Sequence, residues 1–358
     1  MGSNSIGKLF TLTTFGESHG DSIGGIIDGC PSNIKIDFDL IKKELERRRP
    51  SSEFETKRSE TDDFEIVSGL YNGVTTGTPI AFFIKNNNKK AADYNNLENI
   101  YRPSHADFTY SKKYGIRDHR GGGRASARET TSWVFAGAIA KQILNSYNIE
   151  IAGFVTQIGD IKLEIMSLTP SPYFADSFVT RCPDKSTDLK IQKHLKEIRE
   201  QNDTCGGIIS CNIKNLPIGL GEPIFDKLHA RLAHAMMTIN AVKGFEIGEG
   251  FNSASLKGSE NNDEFIESSQ QIHTRTNHAG GLLGGISNGE DLLFRVAFKP
   301  IASILQKQST VDTDGKATEI VITGRHDVCV VPRAVPIVEA MAALVIVDFM
   351  LIAAAYKH

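Results

Sequence analysis

The strongest constraint on this chain lies near its C-terminal end. Ala340 to Tyr356 is almost wholly apolar, with Glu339 just ahead of it and Asp348 in its middle. At most eight uncharged residues run together on either side of Asp348. A membrane span needs about 20 mostly apolar residues, so the stretch reads as a helix buried in a protein core, beginning near Pro336. With 358 residues the chain is long enough to build that core. It shows no internal repeat and no dividing linker, so residues 1–358 are expected to form one domain.

Around this helix the sequence alternates without regularity. Strand-like runs rich in β-branched and aromatic residues fall at Ile80–Ile84, Ile151–Ile158, Ile208–Ile213, Leu292–Phe298 and Glu319–Thr323,. Helical spacing appears in Leu40–Arg49, which Asp37 or Asp39 can cap and Pro50 stops,. It recurs in Arg128–Ser146, and again from Pro223 through Ile224, Leu228, Leu232 and Ala235,. Regular βαβ units are missing, which disfavours a doubly wound parallel sheet and favours a layered α+β fold. Asn86–Lys90, Asp184–Lys193 and Gly258–Asp263 are polar and read as surface loops,.

Composition removes several classes of function. A hydrophobic share of 40% and a charged share of 23% are ordinary for a globular protein and exclude a disordered chain. The net charge of −3 argues against a nucleic-acid binder that relies on bulk positive charge. Five scattered cysteines with no Cys-x-x-Cys pair point to reduced thiols rather than a disulfide frame or a zinc site. Met1 to Phe10 has no secretory pattern,, so a cytoplasmic protein with no membrane and no nucleic-acid partner is expected. No Walker A sequence, dinucleotide fingerprint or His-Glu-x-x-His motif occurs, and His229 and His234 do not share a helix face,. No metal site is expected.

Three clusters carry chemistry. The first is Gly16-Glu17-Ser18-His19-Gly20, followed by Gly24, Gly25 and Gly29. Glycines let the backbone approach a ligand closely, and a histidine there can move protons near neutral pH; many such loops are nonetheless only tight turns. The second runs from Arg102 to Arg128 and holds seven lysines and arginines against two aspartates, around Gly121-Gly122-Gly123. Arginine pairs bidentately with phosphate and carboxylate, and a glycine run entering a helix offers free N–H groups. A solvated basic face is the plainer explanation of a charge run, but the glycines favour an anion site. The third is Arg325-His326-Asp327, where a carboxylate between cations can serve as a base, an orienter or a structural ion pair.

Together these segments resemble the chorismate synthase family along nearly the whole chain. The likeness is strongest in Gly16–Gly20 through Ile23, Gly24, Ile26–Gly29 and Pro31, in Gly123–Thr130 with Gly137, and in Arg325–Asp327 through Arg333–Pro336 and Glu339. Arg47–Pro50, Gly73–Gly77, Arg102–Asp107, Asn240–Gly244 and Lys299–Ser303 also match. The resemblance implies a β-α-β sandwich, with helices packed between antiparallel sheets. It implies a carbon–oxygen lyase of the shikimate pathway that eliminates phosphate from 5-enolpyruvylshikimate 3-phosphate to give chorismate. Reduced FMN (FMNH2) is required without net redox change, because the C6 hydrogen of the substrate is not acidic and the cofactor carries the hard step.

Residue by residue, the resemblance makes His19 the acid at the departing phosphate and gives His105 the flavin's charge state to stabilise. Asp327, with Ser18 and Ser126, becomes a proton relay. Arg48, Arg102, Arg128 and Arg325 match anion-binding positions for the substrate. Flavin contacts carry over to Arg124, Ala125, Ser126, Asn240, Ala241, Gly284, Lys299, Pro300, Ile301, Ala302, Ser303 and Arg325. Relatives are homotetramers, and some reduce flavin with NADPH; without a dinucleotide fingerprint, an external flavin reductase is expected here. The sequence departs from its relatives after Arg49, where Ser51–Glu55 replaces a stretch that carries another arginine, leaving Lys57 and Arg58 as the nearest cations. Two other readings stay open: a flavin-dependent oxidoreductase using NAD(P)H, and a non-enzymatic anion-binding module.

Overall fold

The computed structural model describes residues 2–56, 61–87, 97–164, 169–268, 270–322 and 326–356. Two five-stranded sheets, each antiparallel throughout, enclose a helical layer. In the first, the order is Ser5–Ile6, Thr11–Gly16, Ser22–Asp28, Ile80–Lys85, Phe64–Ile66. In the second it is Val242–Ile247, Leu292–Phe298, Gly207–Lys214, Glu150–Ile158, Ile161–Lys162. The expected α+β sandwich is therefore present, with four of the five expected strands inside these sheets. The fifth, at Ala317–Val321, instead pairs with Lys307–Val311 in a separate hairpin.

Seven helices are described: α1 Phe38–Arg48, α2 Asp107–Tyr114, α3 Thr130–Asn145, α4 Lys185–Glu200, α5 Leu228–Met237, α6 Gly258–Asn261 and α7 Val331–Ala354. Between the sheets, α3 faces the first and α7 the second, and the two helices pack on each other. Phe135 of α3 stacks on Phe82 of the first sheet at 3.9 Å between ring centroids. At the crossing, a Cβ on Gly137 would lie 2.3 Å from Ala340 Cβ. Only a residue without a side chain lets α3 and α7 approach this closely.

The C-terminal helix is buried, as its composition requires, but it starts at Val331 rather than near Pro336. A proline inside a helix leaves the carbonyl four residues back without its usual donor. Here Arg181 Nη1 donates to the Pro332 carbonyl instead. The two charges that interrupt the apolar run are also accounted for. Asp348 accepts hydrogen bonds from the backbone N–H groups of Lys8, Leu9 and Phe10 at 2.7–3.0 Å and from Arg231 at 3.1 Å. Glu339 accepts from Arg47 at 2.5 Å, Lys141 at 2.6 Å and the Gly153 N–H at 2.8 Å. Buried charges persist when paired and hydrogen-bonded in this way.

Other boundaries move for local reasons. Asp184–Lys193, read as a loop, belongs to α4. Asp184 caps it through the Thr187 N–H, and Thr187, Ile191 and Leu195 bury one stripe, a spacing that the polar residues between them obscure. The Gly258–Asp263 loop contains the short α6. α5 begins at Leu228, five residues after Pro223. Asp37 does cap α1, through Asp39 N and Leu40 N. Of the Asn86–Lys90 loop, residues 88–90 lie outside the described residues, and Asn86 is buried.

Candidate active site

The His19 loop joins the strands Thr11–Gly16 and Ser22–Asp28. Asn86 holds it from below, donating its side-chain amide to the carbonyls of Glu17 and Gly20, each at 3.0 Å. Gly121, from the glycine run, lies against the His19 ring. A Cβ at Gly121 would fall 1.9 Å from Cδ2 and 2.2 Å from Nε2, so no larger residue fits there without moving the imidazole. Ser18 Oγ is buried beside them without a hydrogen-bond partner. Arg124 fastens the two segments, bonding to Thr14 Oγ1 at 2.8 Å, the Gly16 carbonyl at 3.2 Å and Glu129 at 2.7 Å. The first and second sequence clusters thus form one structure.

The glycine run does not enter an α-helix directly. Two 3-10 turns, Gly123–Ala125 and Ala127–Glu129, precede α3, and Ser126 Oγ accepts from the Arg128 N–H at 3.3 Å. These turns aim Arg128 at the C-terminal end of α1, where arginines gather round one buried carboxylate, Asp62. Its Oδ2 accepts from Arg48 Nη2 at 3.0 Å and lies 3.5 Å from Arg49 Nε. Its Oδ1 accepts from Arg128 Nη1. Burial pushes the Asp62 carboxyl up, but Arg48 and Arg128 outweigh it and hold the group below its ordinary range. Arg48 is pulled down by burial, against the attraction of Asp62, with Arg333 and Arg128 adding repulsion. Its Nε is buried with no hydrogen-bond partner among the described residues.

Asp327 sits across the same centre. It accepts from the Thr56 N–H at 2.7 Å and from Arg333 Nη1 at 2.6 Å, while Arg333 Nε donates to the Arg48 carbonyl at 3.2 Å. Arg325 lies outside the described residues, as do Lys57 and Arg58. In the Ser51–Glu55 departure, the backbone N–H groups of Ser51 and Ser52 donate to the buried Glu55 carboxylate. A cavity of about 480 Å³ opens on that segment, walled by Ser51, Glu53, Glu55, Arg181 and Pro332 among others. None of its lining residues is a predicted site residue.

The predicted flavin contacts form a second group. His105 Nδ1 lies 3.0 Å from the Pro103 carbonyl, and its Nε2 lies 3.0 Å from Ser303 Oγ. A carbonyl only accepts, so Nδ1 carries the proton and, in the neutral ring, Nε2 accepts from the Ser303 hydroxyl. Burial and nearby Arg102 lower the His105 pKa, which favours that neutral ring. Arg102 is clamped on Asp107 through Nε and Nη2, both at 2.8 Å. Lys299 joins this group through its N–H to the Ala241 carbonyl at 2.9 Å and its ammonium to Ser104 at 3.5 Å. Asn240 donates to the Ala125 carbonyl at 2.8 Å, linking this group to the glycine run. Its Oδ1 is buried without a partner. Ile301 accepts from Thr204 at 2.7 Å, Ala302 is half-buried, and Pro300 and Gly284 are exposed.

Sequence reasoning missed Asp62, Asn86 and the role of Gly121. Asp62 opens an Asp-Asp pair and Asn86 a run of three asparagines, polar stretches with no local pattern to mark them. Arg333 did carry a signal, inside the Arg333–Pro336 match.

Fold and site together define an α+β enzyme. The chorismate synthase family model matches residues 10–351. The chorismate synthase of Flavobacterium psychrophilum is 54% identical over 359 residues, covering 100% of both chains. That of Parabacteroides distasonis is 52% identical over 350 residues, covering 98% of each. A crystal structure of a chorismate synthase superposes with a TM-score of 0.76 at 31% identity, covering 97% of this chain and 93% of that one. The chain belongs to the chorismate synthase family.

Proposed function

We propose that the chain converts 5-enolpyruvylshikimate 3-phosphate to chorismate by 1,4-elimination of phosphate, with reduced FMN and no net redox change. The observation that carries this reading is one continuous bonded path. It runs from the His19 loop through Asn86, Arg128, Asp62, Arg48 and Arg333 to Asp327. A proton donor, an excess of guanidinium charge and a carboxylate share a single frame, as loss of a phosphate dianion requires.

The residues fit a flavin on one structural count: Asn240 Oδ1 is buried with no partner among the described residues, on a side chain whose amide bonds the Ala125 carbonyl. Arg124, Ala125, Ser126, Asn240, Ala241, Gly284, Lys299 to Ser303 and Arg325 would hold FMN. Bound there in its reduced form, FMN would supply electron density and a hydrogen acceptor for a C6 hydrogen that is not acidic. The chain's own groups do the rest. His19 gives a proton to the departing phosphate. His105, neutral and fixed by Pro103 and Ser303, holds the flavin's charge state. Ser18, Ser126 and Asp327 pass a proton out, and Arg48, Arg102, Arg128 and Arg325 bind the substrate's phosphate and carboxylates. We place the enzyme in the cytoplasm as a single-domain protein, fed by an external flavin reductase and assembled as a homotetramer. The exposed Phe225 and Phe251 offer apolar surface for that assembly.

Strictly anaerobic phosphate release tests the reaction. Dithionite-reduced FMN should support turnover, and NADPH with oxidised FMN should not. Turnover in the second arm would show that the chain reduces its own flavin, and no release in either would reject the elimination.

A further inference from the structure

Asp62 and Asn86 stand at the junction between the arginines at the end of α1, Arg128 and the His19 loop. Asp62 has no exposed side-chain surface and occupies the left-handed region at φ 52°, an uncommon conformation for a residue other than glycine. Its two oxygens divide the arginines, Oδ2 taking Arg48 and Arg49 and Oδ1 taking Arg128. Among the described residues, three guanidiniums thus meet at one carboxylate. Such a group would repel itself apart without the carboxylate at its centre.

Asn86 reads the same assembly from the other side. Its Oδ1 accepts from Arg128 Nε at 3.0 Å, while its amide hydrogens go to the Glu17 and Gly20 carbonyls at either end of the Ser18–His19 turn. Its own N–H is anchored on the Asp21 carbonyl at 3.0 Å. One buried side chain thus bonds both an anion-binding arginine and the loop that carries the proton donor.

The geometry points to Asp62 and Asn86 as positioning residues with separable tasks: Asp62 holds Arg48 and Arg128 as one anion-binding unit, and Asn86 sets the His19 loop against that unit. This inference rests on the elimination reading above. It also predicts against simple electrostatics. Neutralising Asp62 adds net positive charge beside an anionic substrate, which by charge alone would tighten binding; loss of the arginines' arrangement weakens it.

Anaerobic steady-state kinetics with 5-enolpyruvylshikimate 3-phosphate and dithionite-reduced FMN separate the two tasks. Asp62→Asn should raise KM about tenfold or more, the size of effect expected when charge-assisted contacts are misplaced, with kcat within about threefold. Asp62→Glu keeps the charge and shifts the carboxylate, so it should raise KM too; it also serves if Asp62→Asn does not fold. Asn86→Asp keeps an acceptor for Arg128 but loses both donations to the loop. It should lower kcat about tenfold with KM nearly unchanged, and Asn86→Gln, the alternative if that variant is unstable, should do the same. An unchanged or lower KM in the Asp62 variants, or a wild-type kcat in the Asn86 variants, overturns the assignment. Absence of phosphate release from the wild-type enzyme would instead overturn the elimination reading itself.

Discussion

Arg47 and Arg48 are neighbours on α1, yet they serve two different charge clusters. Arg47 enters a buried group between α1, α3 and α7, where Arg47, Lys141 and Arg181 meet Glu44, Glu339 and Asp176. Three positive charges face three negative ones. Arg48 enters the site, where it shares Asp62 with Arg49 and Arg128. Among the described residues, three guanidiniums meet there at one carboxylate. The first cluster pairs its charges one for one among the described residues and ties the helical layer together. In the second, Arg48 Nε has no hydrogen-bond partner among the described residues and is a donor that an anion could take. Charge balance among the described residues, more than burial, distinguishes the helix-layer cluster from the one proposed to bind substrate.

Breaking the balanced cluster should have the largest effect. Glu339→Ala leaves Arg47 and Lys141 buried without their main partner, and removing one side of a buried pair costs roughly 3–5 kcal/mol. Denaturant unfolding should show that loss; a cost near zero would mean the cluster contributes no fixed structure. Arg48→Ala should behave oppositely. Relief of repulsion around Asp62 offsets the lost bond, so stability should change by about 1 kcal/mol or less. Substrate KM should nevertheless rise tenfold or more, the worth of roughly one charge-assisted hydrogen bond. A large stability loss with unchanged KM would place Arg48 in the structural class.

Acid sharpens the same contrast with a smaller effect. Burial pushes the Glu339 carboxyl up, but Arg47 and Lys141 outweigh it and hold it far below its usual range; Asp62 is lowered likewise by Arg48 and Arg128. For a carboxyl depressed by folding, the stabilisation is fully present above the unfolded pKa of about 4 and is lost as pH falls through the folded value. Stability should therefore fall below about pH 4, and Glu339→Gln should flatten that fall. An equally steep acid limb in this variant would assign the pH dependence to other carboxyls.

Much of this was legible in the chain. The apolar stretch announced a core helix because Glu339 and Asp348 left too little uninterrupted apolar length for a span. Strand Leu292–Phe298 fell where its run of branched and aromatic residues placed it,. The His19 loop and the arginine-glycine run were each visible as motifs. Their junction was not, because Gly121 against His19 and Asn86 against Arg128 join residues far apart in sequence. Helix α4 was missed although Asp184, Thr187, Ile191 and Leu195 carried its signal, because charge at the intervening positions masked a narrow apolar stripe. Nor could sequence distinguish Arg47 from Arg48; a turn of about 100° between successive helical residues sends one to the core and the other to the site.

The most direct test of the account is phosphate release by His19→Ala and Asp327→Asn under strict anaerobiosis, with FMN binding measured on the same samples. Both variants should bind FMN and lose turnover by about a hundredfold or more, the usual worth of a positioned proton-transfer group. Near-normal release by both would contradict the assignment of the His19 loop and Asp327 to the chemistry.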